Sequence, residues 1–139
     1  MANYTSWGRS NTFQVKDATA FEAWCKRWGD GGLEVIRGGE HDELHGLLFE
    51  TVPGLLRIED GESDEDAEHW VEADFVAELA DHLADGWVAI LMEVGHEDSL
   101  SLVGYAVAVN SAGETVTVDI ASIYTWAEHL GQHVTRALY

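Results

Sequence analysis

Apolar residues recur at Val71, Phe75, Val76, Leu79 and Leu83 with the three- and four-residue spacing of one helical face, and Gly86 follows as a stop. A second helix is expected over Ala18 to Trp28. Asp17 stands ready as its N-cap, Phe21, Trp24, Cys25 and Trp28 share one side, and Gly29 ends it. A third covers about Ser122 to Leu130 and should bury Ile123, Trp126, Ala127 and Leu130. Between the helices the period shortens. Phe13 and Val15 alternate with polar neighbours within Asn11 to Lys16, as a half-buried strand does, while the residues before them read as a polar segment. Short strands are expected at Leu33 to Ile36, Leu44 to Val52 and Leu55 to Ile58, with Pro53-Gly54 turning between the last two. The run Trp87 to Val94 is nearly all apolar, as a strand buried on both faces would be. Ser101 to Val109 and Thr115 to Ile120 complete the set, joined by a hairpin turn over Asn110 to Glu114. The order β-α-β-β-β-α-β-β-β-α, with short connections, predicts a single α+β domain over 1-139: a largely antiparallel sheet with about three helices packed on it.

Composition agrees with one folded domain. The chain has 139 residues, 46% of them hydrophobic, and six tryptophans, which is unlike an acidic disordered tail. Charge adds more. The net charge is −19, and it is regional: Glu40 to Asp85 holds sixteen acids against Arg57 alone, while the rest of the chain holds ten acids against six bases. Direct binding to DNA, RNA or an anionic membrane needs the opposite sign, so the favoured partner is basic. On the expected helix, Asp74, Glu78, Asp81 and Asp85 fall on one stripe opposite Leu79 and Leu83, with no lysine or arginine nearby in sequence. Like charges at such spacings cost a few tenths of a kcal/mol per pair, so local stability does not select the pattern. The acidic run Glu59 to Glu68 precedes it, with Ser63 as a candidate cap, and makes an acidic loop-helix region at about 59-85.

Motifs for chemistry are weak. His41-Asp42-Glu43-Leu44-His45 has two histidines at the spacing of the zinc-protease pattern, but aspartate takes the place of the glutamate base and glycines on both sides disfavour the required helix. His129 and His133 are four apart with Gly131 between them, which reads as surface. Cys25 is the lone cysteine; it excludes an intrachain disulfide and reads as a buried helix-face thiol rather than a nucleophile. No phosphate-binding, dinucleotide-binding or nucleophile-elbow glycine motif occurs. The expectation is therefore a non-enzyme with no cofactor and no metal. The chain opens on no apolar run and contains no stretch of membrane-spanning length, so it is expected in the cytoplasm.

The blocks Ser10-Asn11-Thr12-Phe13-Gln14-Val15-Lys16-Asp17, Leu91-Met92-Glu93-Val94-Gly95 and Gly104-Tyr105-Ala106-Val107-Ala108-Val109-Asn110 resemble blocks in small acidic proteins of phages and mobile elements. Among such proteins are inhibitors of host defence of the anti-restriction and anti-CRISPR type. The resemblance covers about a quarter of the chain and falls on core strands rather than on functional residues. It implies a mobile-element protein and names no target. Taken with the regional charge, the expectation is a nucleic-acid mimic acting in the host cytoplasm on a basic Cas or restriction effector. Asp64, Glu65, Asp66, Glu68, Asp74, Glu78, Asp81 and Asp85 would stand in for phosphates, and Trp70 would be an aromatic anchor beside them. Three other readings share the composition: an immunity or antitoxin-like protein neutralising a basic toxin, a surface made soluble or salt-adapted on a domain of unrelated role, and an enzyme without a recognisable motif.

Overall fold

The computed structural model describes residues 4–28, 32–38, 43–53, 56–58, 70–97 and 101–135. It is an α+β fold. Strands β1 (Tyr4–Ser10), β2 (Phe13–Gln14), β3 (Glu34–Arg37), β4 (Leu44–Phe49), β7 (Val88–Glu97), β8 (Ser101–Asn110) and β9 (Thr115–Asp119) form a seven-stranded antiparallel sheet. Strands β5 (Leu56–Ile58) and β6 (Trp70–Glu72) pair with each other outside it. The helices are α1 (Ala18–Cys25), α2 (Phe75–His82) and α3 (Ser122–Ala127). The long antiparallel run β1-β7-β8-β9 is the spine, and β4 joins it through β1 and β2 on one side while carrying β3 on the other.

The central strand β1 lies in the segment that reads as polar. Its inward residues are Ser6, Gly8 and Ser10, whereas Trp7 points outward, so its hydrophobic phase is the reverse of an ordinary half-buried strand. Packing explains the small inward residues. The Phe49 ring lies over Gly8, where an added Cβ would come within 1.9 Å of the ring. Gly95, on the neighbouring strand, would bring a Cβ to 2.6 Å from the Thr5 carbonyl oxygen. Past Ser10 the strand shifts register, and side chains replace the missing ladder bonds. The Leu47 amide donates to Ser10 Oγ at 2.8 Å, the Ile90 amide donates to Asn11 Oδ1 at 2.8 Å, and Asn11 Nδ2 donates to the Val88 carbonyl at 3.0 Å.

The core sits on one face of the sheet, under α1 and α2. Phe13, Leu47, Phe49, Ala89, Leu91 and Val109 meet Phe21, Trp24 and Cys25 from α1 and Phe75, Leu79 and Ala80 from α2. The helices lock through aromatic contacts: Trp24 stacks on Phe75 with centroids 5.0 Å apart, and Trp28 meets the same ring edge-on. Asp17 caps α1 as the sequence indicates, its carboxylate accepting from the Ala20 amide at 3.0 Å.

Three expectations are corrected. The helix expected from about Val71 starts at Phe75: Trp70–Glu72 is strand, and Asp74, in an extended conformation, is the N-cap. Strand β7 is not buried on both faces, because Ala89, Leu91 and Glu93 face the core while Val88, Met92 and Val94 are exposed. Helix α3 buries none of its residues, and Ile123, Trp126 and Leu130 are open to solvent.

Candidate functional site

The acidic residues singled out by the sequence do not form one helical stripe. Asp64, Glu65, Asp66 and Glu68, with His41 and Ser63, lie outside the described residues. Trp70 opens β6, its Cα paired with that of Ile58. Asp74 serves the helix itself, accepting from the Ala77 amide at 3.2 Å. Glu78 is half-buried and accepts from Trp24 Nε1–H at 2.8 Å, tying α2 to α1. Asp81 is the outward member within the helix, and Asp85 sits beyond its end, in the turn before Gly86, whose φ of +84° suits glycine. Neither Asp81 nor Asp85 has a hydrogen bond or ion pair among the described residues.

Tertiary structure also places cations where the linear sequence shows none. The half-buried His82 ring is held below its ordinary pKa, first by burial and then by Arg27 and Lys16, while Asp81 and Glu78 pull the other way. Lys16 and Arg27 therefore stand close to α2. The helix keeps an acidic rim of Glu72, Asp74, Asp81 and Asp85, all exposed, but it is not unopposed.

Two polar clusters were not legible in the sequence. On the core side of β7, Glu93 accepts from Tyr4 Oη–H at 2.7 Å, the Val52 amide at 2.6 Å and Tyr105 Oη–H at 3.2 Å. On the far side of the core, Arg37 donates to Glu22 Oε1 from both Nε and Nη2, at 3.1 and 2.6 Å, and buried His45 Nε2 stands 3.3 Å from the same oxygen. The Arg37 guanidinium holds the Glu22 carboxyl below its usual range. His45 thus belongs to a strand and to the core, which removes the helical geometry that a zinc-protease motif requires. Among the described residues no group of three His, Cys, Asp or Glu side chains could hold a metal ion, and no helix is long and apolar enough to cross a membrane.

Cys25 is buried, and burial, aided by the Glu22 charge, pushes its thiol up to about 12. The thiolate that a nucleophile needs is disfavoured there. Burial and the Glu93 carboxylate likewise raise Tyr105, and raise Tyr4 by a smaller margin. These groups keep their protons in the fold while the unfolded chain loses them, so their stabilisation is full below the unfolded values and is lost as pH rises through the folded ones. Stability should fall from about pH 9 upward, by up to about 1.4 kcal/mol per pH unit for Cys25 alone. Urea titrations from about pH 8 to 11 test this, and Cys25→Ser should flatten the first part of the decline. A stability unchanged across that range would contradict it.

No protein-family model, no curated protein and no solved structure matches the chain.

Proposed function

We propose that the protein inhibits a basic, nucleic-acid-binding defence effector of the host cytoplasm, its carboxylates occupying the groove that receives phosphates. The observation that supports this reading is the segregation of charge. Exposed carboxylates border α2 at Glu72, Asp74, Asp81 and Asp85, next in sequence to the run that holds Asp64, Glu65, Asp66 and Glu68, while others, such as Glu50, Glu114 and Glu128, are exposed along the rest of the chain. Among the described residues, the outward positions of β1, β7, β8 and β9 on the opposite face of the sheet hold no carboxylate. A protein made acidic only for solubility gains nothing from gathering charge on one side. A ligand for a cationic groove does, because field lines focused there speed association. Duplex DNA carries one charge per about 1.7 Å of axis, which a single helix does not reach, so the neighbouring run must contribute. The mechanism is competition: no bond is made or broken, and binding weakens as salt screens it.

The test needs substitutions that spare the fold. Asp74 caps α2 and Glu78 anchors Trp24, so neither is suitable. Asp81→Lys with Asp85→Lys, and separately lysine at Asp64, Glu65, Asp66 and Glu68, change charge without removing a described contact. The protein, immobilised, is exposed to nuclease-treated lysate of a candidate host, and bound proteins are challenged with duplex DNA and with RNA. Retention of a nucleic-acid-binding effector that either competitor displaces, and that both variants lose, supports the reading. Retention that survives both sets of substitutions, or that nucleic acid does not displace, defeats it. Capture of a basic toxin would transfer the same electrostatics to an immunity role.

A further inference from the structure

No described element covers the side of the sheet turned away from α1 and α2. Register places Trp7, Val94, Gly104 and Ile120 across it in one row, and Arg9, Met92, Ala106 and Val118 in the next. Trp7 is 73% exposed, Val94 61%, and Leu102 and Val116 74% each. Along β8 the outward residues Gly104, Ala106 and Ala108 are small, leaving a trough between the larger side chains of β7 and β9. On α3, Ile123 and Trp126 are exposed as well, and Leu130 beyond it is 91% exposed. Val94, Ile123, Trp126 and Leu130 are residues whose spacing marks them for burial, and none of the described residues covers them.

We propose that this face is the interface of a homodimer, two copies packing sheet to sheet about a two-fold axis, with the β9 ridge of each seated in the β8 trough of the other. Area is the first argument. Burying one aliphatic side chain of this kind removes about 60–120 Å² from water. The eight large apolar residues exposed on the outer side, from Trp7 to Ile120, therefore offer on the order of 800 Å² per copy. That is one partner's share of a stable interface, and it exceeds the roughly 300–600 Å² of the largest patch on a typical monomer. Charge is the second. At −19 per chain, two copies repel wherever their acidic sides meet, and the outer face, where Arg9 is the one charged side chain among the described outward residues, is where they can touch without opposing carboxylates. A basic partner would be drawn to the other side of the molecule. The dimer would display two acidic sides pointing away from each other.

The inference is independent of the proposed inhibition, and salt separates the two. Screening removes repulsion between copies, so dimerisation should tighten with salt, whereas binding to a basic partner weakens. Sedimentation equilibrium of the full chain from about 1 to 100 μM, at about 0.1 and 0.5 M salt, should show a dimer that is stronger at the higher salt. Val94→Lys and Val118→Lys, on two different strands, should each weaken it by about tenfold or more while leaving the melting transition in place. A monomer throughout the range overturns the proposal, as does a dimer that both variants form as tightly as the parent. A monomer that binds the neutral dye Nile red, with that signal lost in both variants, would assign the face to a different protein instead.

Discussion

Replacing Glu93 with alanine is expected to destabilise the protein by about 3 kcal/mol, more than any exposed carboxylate could. Three donors converge on this one buried side chain, from β1, from the segment after β4 and from β8. The phenols have alternatives, since Tyr4 is partly open to solvent and Tyr105 only half-buried. The Val52 amide does not: at 2.6 Å it donates to a carboxylate that closes the gap between the end of β4 and the sheet. Hydrogen bonds to charged acceptors contribute about 1.5–3 kcal/mol each, and an orphaned buried donor costs about 1–3. Glu93→Gln keeps one oxygen for Val52 and should lose about 1 kcal/mol. Urea unfolding at constant slope measures both, and hydrogen exchange at Val52 should quicken in the alanine variant. A Glu93→Ala protein within about 0.5 kcal/mol of the parent would mean that water already satisfies these donors.

That network also shows where the sequence stops being informative. Glu93 lies in an apolar run, Val88 to Val94, and reads locally as an interruption. Its partners are 89, 41 and 12 residues distant, and the β1-β7-β8 register, with the segment after β4, brings them together. Local signals were read correctly where local physics decides: the Asp17 cap, the buried face of α1, the hairpin between β8 and β9, and the α+β class with its antiparallel sheet. They failed where a distant contact overrides them. Strand β1 reads as polar because Phe49 and Ser10's bond to the Leu47 amide demand small inward residues. The acidic stripe depends on a helix continuous through Asp74, and Asp74 ends that helix by capping it.

The failures at α3 and on β7 have a different cause. There the apolar spacing was read correctly, but burial within one chain was the wrong conclusion from it. Ile123, Trp126, Met92 and Val94 follow the patterns of buried faces and are nonetheless exposed. Apolar periodicity reports that a surface is to be covered, and it is silent on whether the cover comes from the same chain. The charge reading has the matching weakness. Lys16 and Arg27 sit well before the acidic region in sequence; the Lys16 amide donates to the His82 carbonyl at 2.9 Å, and Arg27, just after α1, is close enough to act on the same ring. The acidic rim is thus defined by what the fold leaves exposed at Glu72, Asp74, Asp81 and Asp85, rather than by the count of acids in the stretch.

The largest loss should come from Phe21→Ala, about 3–5 kcal/mol. The Phe21 ring is fully buried and meets Phe13 of β2 at 5.8 Å, Trp24 at 5.9 Å, His45 of β4 at 5.3 Å and His82 of α2 at 5.9 Å. It therefore joins both helices to the sheet edge that lacks long ladders. Against a total of about 5–15 kcal/mol for a domain of this kind, the substitution leaves a marginal fold at best. Phe21→Leu keeps most of the volume and should lose less than half as much. A second readout separates a cavity from general loosening. His82 is held below its ordinary value mainly by burial, so it stays neutral in the fold while the unfolded chain takes up a proton below about pH 6.5. Its stabilisation is present above that value and is lost as pH falls through the lower, folded one. Water admitted by Phe21→Ala should raise the His82 pKa toward 6.5 in an NMR titration and make stability less sensitive to acid over that window. A destabilised variant with His82 titrating as in the parent would place the damage elsewhere in the core.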